Sequence, residues 1–297
     1  MWNCVEGLIP SHTSPRPGIY VCEKKMSIDK WINEIHHGYC ENLIRDLPDK
    51  SIDLVITSPP YNVDLGNNKY NKNTYDLYQD NKPYWEYISW LKNIFGLLKL
   101  KMVYGGRVCI NIGDKENGKI PTHSDIINFM TKDLKYLMKS TIIWNKNQIG
   151  NRTSWGSWKS PSNPSFPTPF EYILIFANEY QKKDGDKELI TVSKEEFIEN
   201  SLALWTFPPE HQMAKYGHPA MFPVELPYRL IQQLSYENDI VLDIFSGVGT
   251  TCLAAAKLCR RWIGIEMSER YAEKSINRLN MYTDQTKLWR GDINGNK

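Results

Sequence analysis

No apolar run in the 297 residues approaches the ~20 needed to cross a bilayer. The N-terminus, with Trp2, Asn3, Glu6 and Pro10, has neither the charged nor the apolar region of a secretory signal, and Met26 offers an alternative start. A cytoplasmic protein is therefore expected. Neither sign of charge dominates: the formal balance is +2, so a basic face arises only by segregating charge along the chain. Its six cysteines, Cys4, Cys22, Cys40, Cys109, Cys252 and Cys259, contain no C-x-x-C pair, and Cys109 and Cys252 sit in apolar runs. Reduced core thiols are the expectation. His37 and Cys40 have a metal-like spacing without a second pair, so zinc is not expected. There are no internal repeats and no low-complexity tracts.

One local absence is informative. Between Asp133 and Glu171 there is no acidic residue, whereas Lys135, Lys139, Lys146, Arg152 and Lys159 are interleaved with Trp144, Trp155, Trp158 and Phe166. Cations and aromatics gathered in a near-neutral chain make a local surface for a polyanion, with Lys146, Arg152, Trp155, Trp158 and Lys159 as candidate DNA contacts. The competing explanation is a solvated loop with its tryptophans tucked into the core.

What is present begins with Ser51–Val55–Ile56, an apolar stretch of strand length rich in branched residues, running into Thr57-Ser58-Pro59-Pro60-Tyr61. Pro59 and Pro60 cannot donate to a ladder, so the strand ends there. Free carbonyls, the Ser58 hydroxyl and the Tyr61 face suit a planar ligand carrying an exocyclic amine. A helix is expected over Ser27–His36, a long polar loop over Asn62–Pro83 of the kind used as a lid or binding loop, and a helix over Tyr84–Lys99. Strands follow at Arg107–Ile112, Ser140–Trp144 and Glu171–Ala177, with a helix over Ser124–Tyr136. Strands alternating with helices predict an α/β fold, a doubly wound and mostly parallel sheet. Residues 178–216 lack sheet-like alternation and read as a small insert or subdomain within a single domain of residues 1–297, between a catalytic half (about 27–177) and a cofactor half (about 217–285).

In the cofactor half, Asp239–Phe245 reads as a buried strand, Ser246-Gly247-Val248-Gly249-Thr250-Thr251 as a turn, Cys252–Leu258 as a helix and Trp262–Glu266 as the next strand. A glycine turn at the carboxyl edge of a βαβ unit is where open α/β sheets bind ligands. Cys252 occupies the third glycine position of a dinucleotide fingerprint and no G-x-x-x-x-G-K-[ST] loop occurs, which favours an adenosyl ligand without pyrophosphate. Glu266, ending its strand, is placed to hold a ribose diol.

Together Thr57–Tyr61, Phe245–Thr251 and His218-Pro219-Ala220-Met221-Phe222-Pro223 resemble the exocyclic-amine DNA methyltransferases that use S-adenosylmethionine. Catalytic motif first and cofactor motif last resembles their permuted β group, over roughly residues 37–280. The resemblance implies that Ser58, Pro59, Pro60 and Tyr61 receive a flipped base. It also implies that Asp243, Phe245, Ser246, Gly247, Gly249, Thr250 and Glu266, with His218, Pro219 and Phe222, surround the cofactor. Serine in the first position of the tetrapeptide leans the expectation to cytosine-N4, with adenine-N6 as the alternative. One departure is Gly38-Tyr39-Cys40 where the family often has an acid near the adenine. The implied partners are double-stranded DNA and a companion restriction endonuclease in a prokaryotic cytoplasm, the enzyme being a monomer or homodimer. No Pro-Cys pair is present for carbon-5 cytosine chemistry. A catalytically silent DNA-binding subunit and a small-molecule or RNA methyltransferase are the readings from other classes.

Overall fold

The computed structural model describes residues 27–63, 75, 77, 80–147, 156–211 and 216–294, with side chains through 284. Arg152, Trp155, the first 26 residues and most of the 64–79 segment lie outside the described residues. Eight strands form one sheet: β1 (Glu34–His37), β2 (Ile52–Thr57), β3 (Met102–Ile112), β4 (Leu137–Asn145), β5 (Phe170–Ala177), β6 (Leu204–Thr206), β7 (Ile240–Asp243) and β8 (Arg261–Glu266), in the spatial order β1-β8-β7-β2-β3-β5-β4-β6. All neighbours are parallel except β5, which is antiparallel to both β3 and β4. Helices α1 (Cys40–Asp46), α2 (Tyr84–Lys101), α3 (Thr122–Asn128), α4 (Lys194–Asn200), α5 (Glu225–Leu234), α6 (Thr250–Lys257) and α7 (Glu269–Asn294) complete it.

The strands are apolar on both faces because both faces are covered. Val55, Ile240, Leu242, Ile263 and Ile265 point into the cluster that holds Tyr87, Leu91, Ile94 and Leu98 of α2. Their neighbours Leu54, Ile56, Val241 and Trp262 point into the opposite cluster, with Leu226 and Leu230 of α5 and Leu253 and Ala254 of α6. This alternation is the two-residue period of a strand dividing its side chains between two layers. It yields the doubly wound, mostly parallel sheet that the pattern of elements predicted.

Two expectations are corrected. Residues 27–36 are not a helix: a short turn at Ile28–Lys30 gives way at Asn33, whose φ is +61°, to β1. Asn33 accepts the Trp262 N–H on its side chain (3.2 Å), and Ile35 pairs with Gly264. An apolar spacing that locally suits a helix is overridden because β8 would otherwise end the sheet with unpaired backbone. Within 178–216, Leu204–Thr206 does join the sheet, seating Trp205 in the core.

Strand polarity fixes which loops share an end. The carboxyl ends of β1, β2, β3, β4, β6, β7 and β8 and the start of β5 lie together, so the loops after Thr57, Asn145 and Thr206 open on the same side. Residues 178–190 start from the other end. There Lys183 bridges Asp53 (3.0 Å) and Asp239, and Asn178 accepts the Gly105 N–H (2.8 Å).

Candidate active site

At the carboxyl ends of β2, β7 and β8 lies a cavity of about 600 Å³. It is lined by Ser58, Pro59, Pro60 and Tyr61, by His218, Pro219 and Phe222, and by Asp243, Phe245, Ser246, Gly247, Thr250 and Glu266. The structure thus gathers into one wall the residues that the sequence separates by as many as two hundred positions. Gly249 stands just behind the lining as the left-handed residue that starts α6, with φ +75°. Trp158 and Lys159 stand outside the cavity, on the loop between β4 and β5.

The two halves are joined by one buried carboxyl. Asp243 Oδ1 accepts the Thr57 hydroxyl (2.7 Å) and the Phe245 N–H (3.1 Å), and Oδ2 accepts the Thr251 hydroxyl (2.7 Å). Burial raises this carboxyl from 3.8 to about 6. Asp243 therefore ties the strand that ends in Ser58 to the glycine loop, and its contacts are to the protein's own groups. Glu266 is held in the same way by the backbone, accepting the Gly247 N–H (2.8 Å) and the Ser268 N–H (2.9 Å). Its carboxylate still faces the cavity, and burial raises it from 4.5 to about 7. His218 is held neutral, lowered to about 4 by burial; its Nδ1 accepts the Ala220 N–H (3.3 Å), which leaves the proton on Nε2.

The polar loop after Tyr61 is closed at its root. Asp80 accepts the N–H of Asn62 (2.7 Å) and of Val63 (3.1 Å), and Asn62 Nδ2 donates to Lys82 O (2.8 Å). From this loop Tyr75 and Leu77 line the cavity, and the Tyr75 ring meets His218 edge-on at 5.9 Å. Among the described residues the segment is thus tied at its base and touches the cavity at Tyr75 and Leu77.

Among the lining residues that sequence reasoning missed are Asn111 at the end of β3 and Glu171 at the start of β5. Glu171 Oε2 accepts the Tyr61 hydroxyl (2.9 Å) and one Asn111 Nδ2 hydrogen (2.8 Å). Lys146 is bound to Glu171 Oε1, inside the cavity wall, so its charge is already partnered. The signal for Glu171 was in the sequence: it is the acid that closes the acid-free interval.

A sheet of this topology, with a glycine turn and a strand-ending acid at its carboxyl edge, defines a site for a nucleotide-like ligand. Residues 52–277 match the profile of the N6_N4_Mtase family of DNA methylases, and the chain belongs to that family. Among curated relatives it is similar to the Type II methyltransferase M.MjaVI of Methanocaldococcus jannaschii, 41% identical over 167 residues, which are 56% of this chain and 81% of that protein. It is also similar to M.MthZI of Methanothermobacter thermautotrophicus, 30% identical over 82% of this chain and 76% of the relative. Among solved structures, TTHA0409 of Thermus thermophilus, assigned as a DNA modification methylase and also solved with S-adenosyl-L-methionine, superposes with TM-scores of 0.65 and 0.64. It is 28% identical over 83% of this chain, which spans 94% and 92% of the two structures. A cytosine-N4-specific PvuII methyltransferase, 22% identical with a TM-score of 0.60 over 82% of this chain and 84% of that one, shares the fold.

S-adenosylmethionine is the cofactor, and the residues present fit it. Ser246 Oγ lines the cavity region, buried and without a partner among the described residues. At Gly247 (φ +52°) an added carbon would come within 2.9 Å of His218 Nε2, so the loop closes on the cavity only as glycine.

Proposed function

We propose that this chain methylates the exocyclic N4 amine of a cytosine flipped out of duplex DNA. The observation that carries the reading is Ser58. It stands first in the tetrapeptide, its hydroxyl lies on the cavity wall 3.2 Å from Tyr61 Oη, and Asp243 holds the preceding Thr57 against the cofactor loop. The cofactor supplies the methyl group. The chain's own groups bind and orient: the Tyr61 face stacks on the base, worth ~1–3 kcal/mol by analogy with other base–aromatic contacts, against an extrusion cost of a few kcal/mol. Ser58 and the Pro59 carbonyl accept the two amine N–H bonds, which favours a pyramidal, more nucleophilic nitrogen. This is catalysis by placement and electrostatics. The motif order supports the permuted β group, and relatives named Type II methyltransferases support a companion endonuclease acting on the same site.

Sheet polarity supports a DNA-contacting face at the carboxyl end of the sheet. Between β4 and β5, the described residues 156–169 are shaped by the Ser157 N–H bond to Asn163 O (2.9 Å) and expose Trp158 (67%) and Phe166 (77%), with Lys159 5.8 Å from the Trp158 ring. Pro209, Glu210 and His211 also reach the cavity. This supports target recognition by these two segments, the second lying within the 178–216 insert.

The product decides the base. Mass spectrometry of nucleosides from DNA treated with the purified protein should show N4-methylcytosine. N6-methyladenine in its place would transfer the reading to the other amine of the same family.

Glu266 is proposed to hold the ribose diol, and this has a proton signature. Its carboxyl sits near 7 in this cavity. A diol donates to the ionised form, so binding should release protons around pH 7, and affinity should rise as pH rises from 6 to 8. Calorimetry in buffers of different ionisation enthalpy measures the release. Glu266→Gln should abolish it, and equal release by that variant would contradict the assignment.

A further inference from the structure

A serine hydroxyl donates as readily as it accepts, so Ser58 alone does not make a pocket for an amine. The surrounding groups decide which way its proton points. Lys146, which has only hydrogens to give, holds Glu171 Oε1. Glu171 Oε2 receives the Tyr61 hydroxyl at 2.9 Å and one Asn111 amide hydrogen at 2.8 Å; the other Asn111 hydrogen lies on Tyr61 Oη, also at 2.8 Å. Burial, reinforced by the charge of Glu171, pushes the Tyr61 phenol well above its ordinary range, so it remains a donor. Its proton being committed to Glu171, Tyr61 Oη can only accept from Ser58 (3.2 Å), and the other neighbour of the Ser58 hydroxyl is the Asn111 carbonyl, also 3.2 Å away. The Tyr61 proton and one Asn111 amide hydrogen thus point to Glu171, and the Ser58 proton is taken up by Tyr61 Oη or the Asn111 backbone carbonyl. Ser58 presents lone pairs to the cavity, and Asn111 Oδ1 is left buried without a partner among the described residues.

We propose that Glu171 is a positioning residue that sets the hydrogen-bond polarity of the base pocket. It makes Ser58 an obligate acceptor, and so selects a ring bearing an exocyclic N–H over one bearing a carbonyl at that position. The proposal rests on the exocyclic-amine reading above and goes beyond the tetrapeptide.

Glu171→Gln reverses the chain, because Lys146 will hold the amide oxygen and leave the amide nitrogen facing Tyr61 and Asn111. Tyr61 then donates to Ser58, occupying a lone pair the substrate would use, and the Asn111 amide turns an N–H towards the pocket. With PCR-amplified bacterial genomic DNA and saturating labelled cofactor, single-turnover transfer should fall about 30- to 100-fold. Cofactor affinity by calorimetry should stay within about twofold, since the altered groups are remote from the glycine loop. Ser58→Ala should cost about tenfold in the wild type but under about threefold in the Glu171→Gln background, where the acceptor has already been lost. The double variant Lys146→Met with Glu171→Gln buries no unpaired charge and frees the amide to turn its oxygen to Tyr61. It should transfer within about tenfold of wild type, and it carries the test where the single Gln variant does not fold.

Equal costs of Ser58→Ala in both backgrounds, or a folded double variant as inactive as the Gln variant, would overturn the proposal while N-methylated bases in the wild-type product left the amine reading standing. Wild-type DNA carrying no N-methylated base would overturn the amine reading, and this proposal with it.

Discussion

Replacing Gly249 by valine should abolish cofactor binding and lower the thermal midpoint of the protein. At φ +75° a residue with a side chain costs about 1–2 kcal/mol from backbone crowding alone. The added carbon would stand 2.1 Å from Ser275 Oγ and 3.6 Å from Leu279, both on α7. Ser275 is fully buried, so it has nowhere to retreat, and a branched residue is the worst choice. The obstruction comes from the helix behind the turn, not from filling the cavity itself. The turn must move away from α7, dislocating Gly247 and its hydrogen bond to Glu266. Gly247→Ala differs in kind: its new carbon meets the His218 ring at the cavity, so it should weaken the cofactor with a smaller loss of stability. Calorimetry with differential scanning separates the two, and a folded Gly249→Val protein of unchanged affinity would refute the account.

Asp243→Ala should be comparably severe, for a different reason. One carboxyl receives Thr57, Thr251 and the Phe245 N–H, and all three lose a buried acceptor together. Each orphaned donor costs about 1–3 kcal/mol where it finds no replacement. With the hydroxyls able to rotate, a total of about 3 kcal/mol is expected, a fall of about 6–12 °C in the midpoint for a domain of this size. Activity should fall further than stability, because Thr57 precedes Ser58 and the carboxyl ties that strand end to the glycine loop, on which the proposed placement of base and cofactor depends. A misplacement of about 1 Å can cost a hundredfold in rate. Single-turnover transfer measured well below the midpoint tests this, and a variant with reduced stability but wild-type transfer would show that Asp243 only supports the fold.

Much of this was legible along the chain because its causes are local. Ile52–Thr57 alternates between two apolar layers, so it is a strand; Pro59 and Pro60 have no N–H, so the strand must end where the cavity begins. Apolar positions in Tyr84–Lys101 recur with the helical period, and the glycine turn between β7 and α6 carries its left-handed residues in its composition. Sequence therefore determined most of the elements, the family and the two motifs that meet in the cavity wall. Tertiary structure decided which polar groups meet. It made residues 34–37 a strand because β8 needed a neighbour, turned Lys146 from a free cation into the partner of Glu171, and placed residues 178–190 at the end of the sheet away from the cavity. Glu171 meets Tyr61 across 110 positions and Asn111 across 60. No period or turn signal spans such distances. The contact exists because β5 lies antiparallel against β3 and brings its first residues to the end where β2 stops, and that order of strands is a property of the packed sheet.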